Sequence, residues 1–375
     1  MTVSANTPAT TVSAQGQKTM KRVVVDHYGG PEVLRLVEAD LPEPGPGEVR
    51  VRVLAAGVSF TDSQLRAGTY LGVPKPPFTP GYELVGVVEK LGPGSTRLQV
   101  GDRIAALTVW GADAEYACVP EAEAFDVPDD LDPAEVLSLP LIYMTAYQVL
   151  HREAKVKSGE TVLVHGAAGR VGTAVLEFGA LAGLRMYGTC SAHDRDKVER
   201  LGAVAIDYRN EDFLARLRKL PGKGVDVVLD GLGGPISLRS FRALRPGGRL
   251  VVFGAYSTLK DGHRSWPQWI SWYAATASVG LWGFLSPRRK VLPYRIQKLH
   301  EGHQVIPMGS RRPPLVGGGP RHPDRFQEDF AVLIELLREG KIHPVVAERL
   351  PLTEARHAHE LLESAATKGK LVLVP

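Results

Sequence analysis

The sequence predicts an α/β chain in two parts, a mostly-β region followed by a doubly wound parallel sheet. Three observations predict it. From Lys21 to Val119 the chain reads as short, β-branched runs between Gly and Pro punctuation. Beyond Asp132, strand and helix patterns alternate, as a parallel sheet with helices on both faces requires. One strand-to-helix junction in that alternation is the glycine-rich run Gly166–Gly172.

At 375 residues the chain exceeds one small core and fits two domains of ordinary size. With 44% hydrophobic and 23% charged residues it has the composition of ordinary globular proteins. A net charge of +4, with the basic residues dispersed rather than blocked, argues against a nucleic-acid partner. The only two cysteines, Cys118 and Cys190, supply neither a disulfide framework nor a Cys-rich zinc lobe. They read as small apolar residues in a reducing cytosol, so a cytoplasmic location is expected. Residues 1–19 carry no apolar core of the ~7–15 residues a secretory signal needs and read as a disordered tail. The weakly polar run Tyr273–Leu285 is shorter than the ~20 residues of a membrane span, so no membrane association is expected.

In order along the chain, "KRVVVDHYGG" and "EVRVRVLAAGV" are strands, and "VGVVEKLGPG" with "VGDRIAAL" adds two more around a tight turn. "DPAEVLSLPLIYMTAYQVLHREA" has helical apolar spacing, with Asp132 as N-cap and Pro133 at the first position. Then "ETVLVHG" (strand), Gly169–Ala182 (helix), "LRMYGTC" (strand), "RDKVERLG" (helix), "VAIDY" (strand), "EDFLARLRKL" (helix) and "VDVVLDGLG" (strand) alternate. "ISLRSFRALRPGG" and "RLVVFGAY" complete the run. Residues 309–323 are rich in Gly, Pro and Arg and read as a surface loop. "DRFQEDFAVLIELLREGKI" is a helix, "TEARHAHELLES" a capped helix and "GKLVLV" a closing strand. Asp62 and Arg66, four apart, read as a helix-surface ion pair.

The run "VLVHGAAGRVGTAVLEF" gives the strand–turn–helix context of a dinucleotide site. Gly169 lets the backbone approach a pyrophosphate, the helix N-terminus presents N–H groups to it, and Gly172 permits close helix–strand packing. The first glycine of the usual G-x-G-x-x-G pattern is replaced by Ala167. An NAD site carries Asp or Glu at the end of the second strand, ~20 residues on. Here "CSAHDRDK" stands there; Ser191 with His193, Arg195 and Lys197 suits a 2′-phosphate, so NADPH is expected over NADH. Asp194 reads as the N-cap of the next helix.

At this point the chain resembles the zinc-independent medium-chain dehydrogenase/reductases, in their quinone oxidoreductase (zeta-crystallin-like) group. The carriers are "AAGVSFTDSQLRAGTYLGVPKPPFTPGYELVGVVEKLG", "SLPLIYMTAYQVL", "VHGAAGRVG", "IDYRNEDF", "GGRLVVFG" and "EARHAHELLESAATKGKLVLVP". The resemblance implies a Rossmann domain inserted in a GroES-like, mostly-β catalytic domain, with the active site in the cleft between them. The corresponding spans are residues 20–140 and 323–375 for the catalytic domain and 141–322 for the Rossmann domain, with an insertion at about 304–321. It further implies that Phe60, Tyr143, Thr145 and Gly254 lie near the nicotinamide. Gly169, Arg170, Val171 and Gly172 would meet the pyrophosphate, and Ser191, Arg195 and Tyr208 the 2′-phosphoryl adenosine. A homodimer is implied by the same analogy. The chain departs from many relatives at Ser59, where they have Asn, at Gln64, where some have Tyr, and at Asp194, where some have Lys.

Metal-dependent alcohol dehydrogenases hold a catalytic zinc with a Cys-type ligand in the early loop and a His in the Gly-x-Glu step. This chain has Ser59 and Tyr82 there, neither a usual zinc ligand, and its eleven histidines show no metal spacing. No zinc is expected. Without a Lewis acid the favoured acceptor is a quinone or an α,β-unsaturated carbonyl, whose charge after hydride arrival is delocalised. Tyr70, Ser59 and Tyr143 are the candidate hydroxyl donors to that oxyanion. Two other expectations stand beside an NADPH-dependent reductase: an NADPH-binding protein of structural or RNA-binding role, and an enoyl reductase acting on a larger natural product.

Overall fold

The computed structural model describes residues 11–12, 18–70, 72–254, 259–260, 263–296, 323–364 and 367–375. The insertion at about 304–321 lies outside them. By internal contacts the chain divides into Met1–Pro140, Asp261–His263 and Pro344–Pro375 as one unit, and Leu141–Lys260 with Arg264–His343 as the other.

In the first unit, seven strands form one sheet. Its order is Val346–Pro351, Lys370–Val374, Glu48–Val58, Leu84–Leu91, Arg103–Ala106, Ala124–Asp126, with Tyr116–Pro120 also paired to Glu48–Val58. Pairing is antiparallel except between the two C-terminal strands. The long strand Glu48–Val58 is the spine because Val49, Val51, Val53, Ala55 and Ala56 are all buried in it. A second, antiparallel sheet joins Thr11–Val12, Lys18–Val25 and Leu34–Asp40. The pairing of Thr11–Val12 with Lys18 and Thr19 gives part of the expected disordered tail a place in a sheet.

The second unit is built on six parallel strands. In chain order they sit third, second, first, fourth, fifth, sixth: Val204–Asp207, Arg185–Cys190, Thr161–His165, Val225–Asp230, Leu244–Val252, Lys290–Pro293. This is the strand order of the dinucleotide-binding doubly wound fold. The central strands Thr161–His165 and Val225–Asp230 are buried at every residue, which is why they read as continuous apolar runs and not as alternation.

Asp132 caps the helical run after the first unit's sheet, its carboxylate accepting from the Ala134 N–H at 3.0 Å. The run is not a plain α-helix. It passes from Pro133–Val136 through π-turns at Leu139–Tyr143 and Gln148–Ala154, with α-helix at Met144–Tyr147 between them. Such widened turns are frequent at functional sites.

The helix Pro323–Arg338, expected with the closing part of the catalytic domain, belongs to the second unit. The reason is a buried carboxylate. Asp329 is fully buried and accepts from Gln148 Nε2 at 2.9 Å and from the Arg152 guanidinium at 2.6 and 2.9 Å, while Phe326, Phe330 and Leu333 bury the apolar face. Among the described residues no helix is long and apolar enough to cross a membrane.

Candidate active site

The Gly81-Tyr82-Glu83 step sits over a set of buried charges in the first unit. Glu83 and Lys370, respectively 0% and 1% exposed, form an ion pair that joins the step to the last strand. Gly57 is needed beside it, since a Cβ there would collide with the Glu83 carboxylate and the Lys370 ammonium. Asp62 and Asp113 lie close enough to interact electrostatically with the same lysine. Burial pushes the Asp62 carboxyl up, against the bonds it accepts from Ser59 and Gly81 and the charge of Lys370. Burial, and the charges of Asp62 and Glu83, push Asp113 well up. Both Asp113 carboxyl oxygens are buried without a hydrogen-bond partner, which a protonated acid tolerates better than an anion.

Tyr82 is 1% exposed and its hydroxyl lies 2.8 Å from that of Tyr70, the rings meeting edge-on at 6.1 Å and 82°. Sequence reasoning singled out Tyr70 as a donor and read Tyr82 as a missing zinc ligand; the structure makes them one hydroxyl pair. Ser59 has a different fate. It caps the helix Phe60–Arg66, its hydroxyl donating to Asp62 Oδ2 at 2.6 Å while its N–H donates to the same oxygen at 2.8 Å. Its proton is therefore committed to the cap, which weakens it as a donor to substrate. Phe60 is the first residue of that helix and half-buried.

The expected surface pair Asp62–Arg66 does not form. Arg66 is fully buried and turns away, donating to the Gly29 carbonyl at 3.1 Å, to His359 Nδ1 at 3.0 Å and to Glu363. Burial and the neighbouring guanidinium push the His359 imidazole down to about 3, so it is neutral and accepts.

In the second unit Tyr143 is 4% exposed and donates to Glu177 Oε2 at 2.8 Å. Burial, then the Glu177 charge, push its hydroxyl far above the ordinary value. Thr145, two residues on, is buried and its side chain bonds the buried Tyr294. Gly254 packs on Gly231 at the end of the fifth strand, where a Cβ would strike the Gly231 backbone.

The glycine-rich turn follows the strand Thr161–His165. Gly166 has φ +68°, a conformation other residues adopt at a cost. Gly169 is the extended N-cap of the twelve-residue helix Arg170–Leu181, and no side chain caps that helix. The N–H groups of Arg170, Val171 and Gly172 thus begin the first turn, where α-helical bonding supplies them no partner. Gly172 packs so tightly on the turn that a Cβ would strike the Gly166 carbonyl. Lys197 Nζ donates to the Ala168 carbonyl at 2.9 Å and brings a cation to the turn. This end fits a pyrophosphate.

The adenosine end is less open to a phosphate. The Ser191 hydroxyl donates to Asp194 Oδ2 at 2.8 Å, and Arg195 bonds Glu211 Oε1 at 2.8 Å. Asp194 ends the 3-10 turn Ala192–Asp194 and stands at the N-cap position as expected, but makes no side-chain cap bond to the helix Arg195–Arg200. Tyr208 is 55% exposed with the Arg209 guanidinium 5.6 Å from its ring centre.

Comparison with other proteins places this geometry. Residues 45–129 match the family described as "Alcohol dehydrogenase GroES-like domain", and residues 201–373 match "Zinc-binding dehydrogenase". A 2-haloacrylate reductase from Burkholderia sp is 33% identical over 360 residues, covering 94% of this chain and 98% of the relative. The human synaptic vesicle membrane protein VAT-1 homolog-like is 31% identical over 356 residues, covering 94% of this chain and 80% of the relative. The chain belongs to the zinc-independent medium-chain dehydrogenase/reductases, in their quinone oxidoreductase group. Among solved structures, the Escherichia coli quinone oxidoreductase complexed with NADPH superposes with a TM-score of 0.77 at 28% identity, covering 95% of this chain and all of that one.

Within this family the donor set argues about metal by its chemistry. Where metal-dependent alcohol dehydrogenases have a His ligand, the phenol of Tyr82 is taken up in a hydroxyl pair, and where they have a Cys-type ligand, Ser59 is used as a cap. Among the described residues no group of three or more His, Cys, Asp or Glu could hold a metal ion. Lys370 and Asp113 escaped sequence reasoning. Lys370 left a signal, a lone cation in the otherwise apolar strand "KLVLV".

Proposed function

We propose that the chain is an NADPH-dependent reductase that delivers hydride to a quinone or to the β-carbon of an α,β-unsaturated carbonyl. The observation that carries the proposal is the phenol pair Tyr82–Tyr70 at the position where metal-dependent relatives bind zinc. The uncapped helix start at Gly169 and the relative crystallised with NADPH support the cofactor.

NADPH supplies the hydride from nicotinamide C4. This chain's residues do the rest. Backbone N–H groups of Val171 and Gly172 bind the pyrophosphate, and Lys197 adds charge there. Ser191, Arg195 and Tyr208 take the 2′-phosphoryl adenosine, which requires Arg195 to turn from Glu211. Phe60, Tyr143, Thr145 and Gly254 would border the nicotinamide; Tyr143 would do so as a packed ring, because its hydroxyl is given to Glu177. As hydride reaches the acceptor, electron density moves to the acceptor oxygen, and Tyr70 donates a hydrogen bond to it. The carbon next to the carbonyl takes its proton from water. The substrate is a small molecule.

A homodimer belongs to the same reading. Its support is the strand Lys290–Pro293, which ends the sheet and pairs only with Leu244–Val252 among the described residues.

The test is NADPH oxidation at 340 nm against a panel of small quinones and enones, with fluorescence titration of NADPH binding alongside. Turnover with at least one class is expected. Tight NADPH binding with no oxidation of any acceptor would favour the non-catalytic reading.

A further inference from the structure

We infer that Tyr82 is a positioning residue, holding the Tyr70 hydroxyl as donor to the acceptor oxygen; the inference rests on the reductase reading above. Tyr82 has the properties of a fixed anchor. Its carbonyl accepts from Val109 N–H at 3.1 Å, Gly81 N–H donates to Asp62 at 3.2 Å, and the next residue, Glu83, is tied to Lys370. Tyr70 is held on a different support. Its N–H and that of Thr69 donate to the Gln64 carbonyl at the end of the helix Phe60–Arg66, at 3.2 and 2.9 Å. The two side chains meet at their hydroxyls, 2.8 Å apart, with the rings edge-on.

Two phenols at that distance carry two protons, one of them between the oxygens. The other is directed outward, and because Tyr82 is 1% exposed while Tyr70 is half-buried, the outward donor is Tyr70. A donor that itself accepts a hydrogen bond is a stronger donor, so charge growing on the acceptor is felt through Tyr70 by Tyr82. No proton passes through the pair. Hydride forms the new C–H bond, the electron pair of the acceptor's π bond moves to oxygen, and water supplies the proton. A phenylalanine at 82 would keep the ring contact and remove the hydroxyl contact with Tyr70.

The experiment compares the full-length wild type with Tyr70→Phe, Tyr82→Phe and the double variant, using NADPH with 2-cyclohexen-1-one and with 1,4-benzoquinone. For the enone, kcat is expected to fall about a hundredfold in Tyr70→Phe and about tenfold in Tyr82→Phe, with KM little changed. The double variant is expected to match Tyr70→Phe, since Tyr82 acts only through Tyr70. The quinone, whose product anion is better delocalised, is expected to lose less. Phenolate absorbance at 295 nm gives a second readout: the pair's first ionisation in wild type is expected at lower pH than that of the remaining phenol in either single variant. If Tyr82→Phe does not fold, Tyr70→Phe alone decides, and wild-type kcat in that variant overturns the inference. Wild-type kcat in Tyr82→Phe, or additive losses in the double variant, overturns the positioning role while leaving the reductase reading intact. Absence of NADPH oxidation by the wild type with both acceptors overturns both.

Discussion

The two units bury charge in opposite styles. In the second, each buried carboxylate has its own donors: Asp230 accepts from the N–H groups of Leu232 and Gly233 and from Ser237, and Asp329 from Gln148 and Arg152. Even the buried imidazole of His165 sits between Thr189 and Ser240, at 3.1 and 2.9 Å. In the first unit, Asp62, Glu83 and Asp113 share the field of a single lysine, and neither carboxyl oxygen of Asp113 has a hydrogen-bond partner. The difference teaches where protonation is settled by structure. The Rossmann unit satisfies its acids by hydrogen bonds, whereas the GroES-like unit buries one, Asp113, with its carboxyl unbonded and pushed toward the protonated form by burial and by Asp62.

The sharpest way to break that contrast is to remove the lysine. Lys370→Met leaves three acids without a buried cation and is expected to cost about 3–5 kcal/mol, read by chemical denaturation. Adding Glu83→Gln should recover part of it; a loss below about 1 kcal/mol in the single variant would mean the carboxylates do not depend on Lys370.

The next test uses His359, neutral in the fold and pushed down to about 3 by burial and then by Arg66. An unfolded imidazole titrates near ~6.5, so between that pH and about 3 the unfolded chain binds a proton that the folded chain does not. Stability therefore falls as pH drops through this window, by at most about 1.4 kcal/mol per pH unit from this group. His359→Asn, which can still accept from Arg66, is expected to flatten the acid limb of a Tm-against-pH curve. Identical slopes in the two proteins would show that the imidazole is not held neutral.

Asp113 has the opposite sign. Its folded value is raised, so stability from this group is greatest at acid pH and is lost as pH rises past the unfolded carboxyl value of ~3.9. Asp113→Asn cannot ionise. It is expected to be more stable than wild type at pH 8 by about 1 kcal/mol, with the gap closing toward pH 4. A variant less stable at pH 8 would indicate that the aspartate is ionised and paired.

The smallest expected effect is at the adenosine end. Asp194→Asn removes the anion bonded to Ser191 and should tighten NADPH binding about fivefold, the ~1 kcal/mol of a half-exposed charge, without changing NADH binding. Equal effects on both cofactors, measured by fluorescence titration, would place the 2′-phosphate elsewhere.

The Rossmann half was legible because its signals are local. Strand periodicity and the Gly166–Gly172 turn each lie within a few residues of sequence. The buried charges were not legible for the converse reason. The i,i+4 spacing of Asp62 and Arg66 suggested a surface pair, but spacing reports which residues share a helix face and not whether that face is covered. The partners of Arg66 lie 293 and 297 residues away, and Lys370 meets Glu83 across 287. Helix Pro323–Arg338 was misassigned for the same reason, since Gln148 holds Asp329 across 181 residues. Tyr82 was visible as a missing ligand, while its bond to Tyr70 depends on how the loop after Arg66 turns back on the step.

The central claim is that hydride goes to an acceptor able to spread its own charge. It is tested most directly by following label from NADPH deuterated at nicotinamide C4 into the product of an enone. Deuterium on the carbon β to an intact carbonyl is the predicted result. Deuterium on the carbonyl carbon, in an allylic alcohol, would contradict the account.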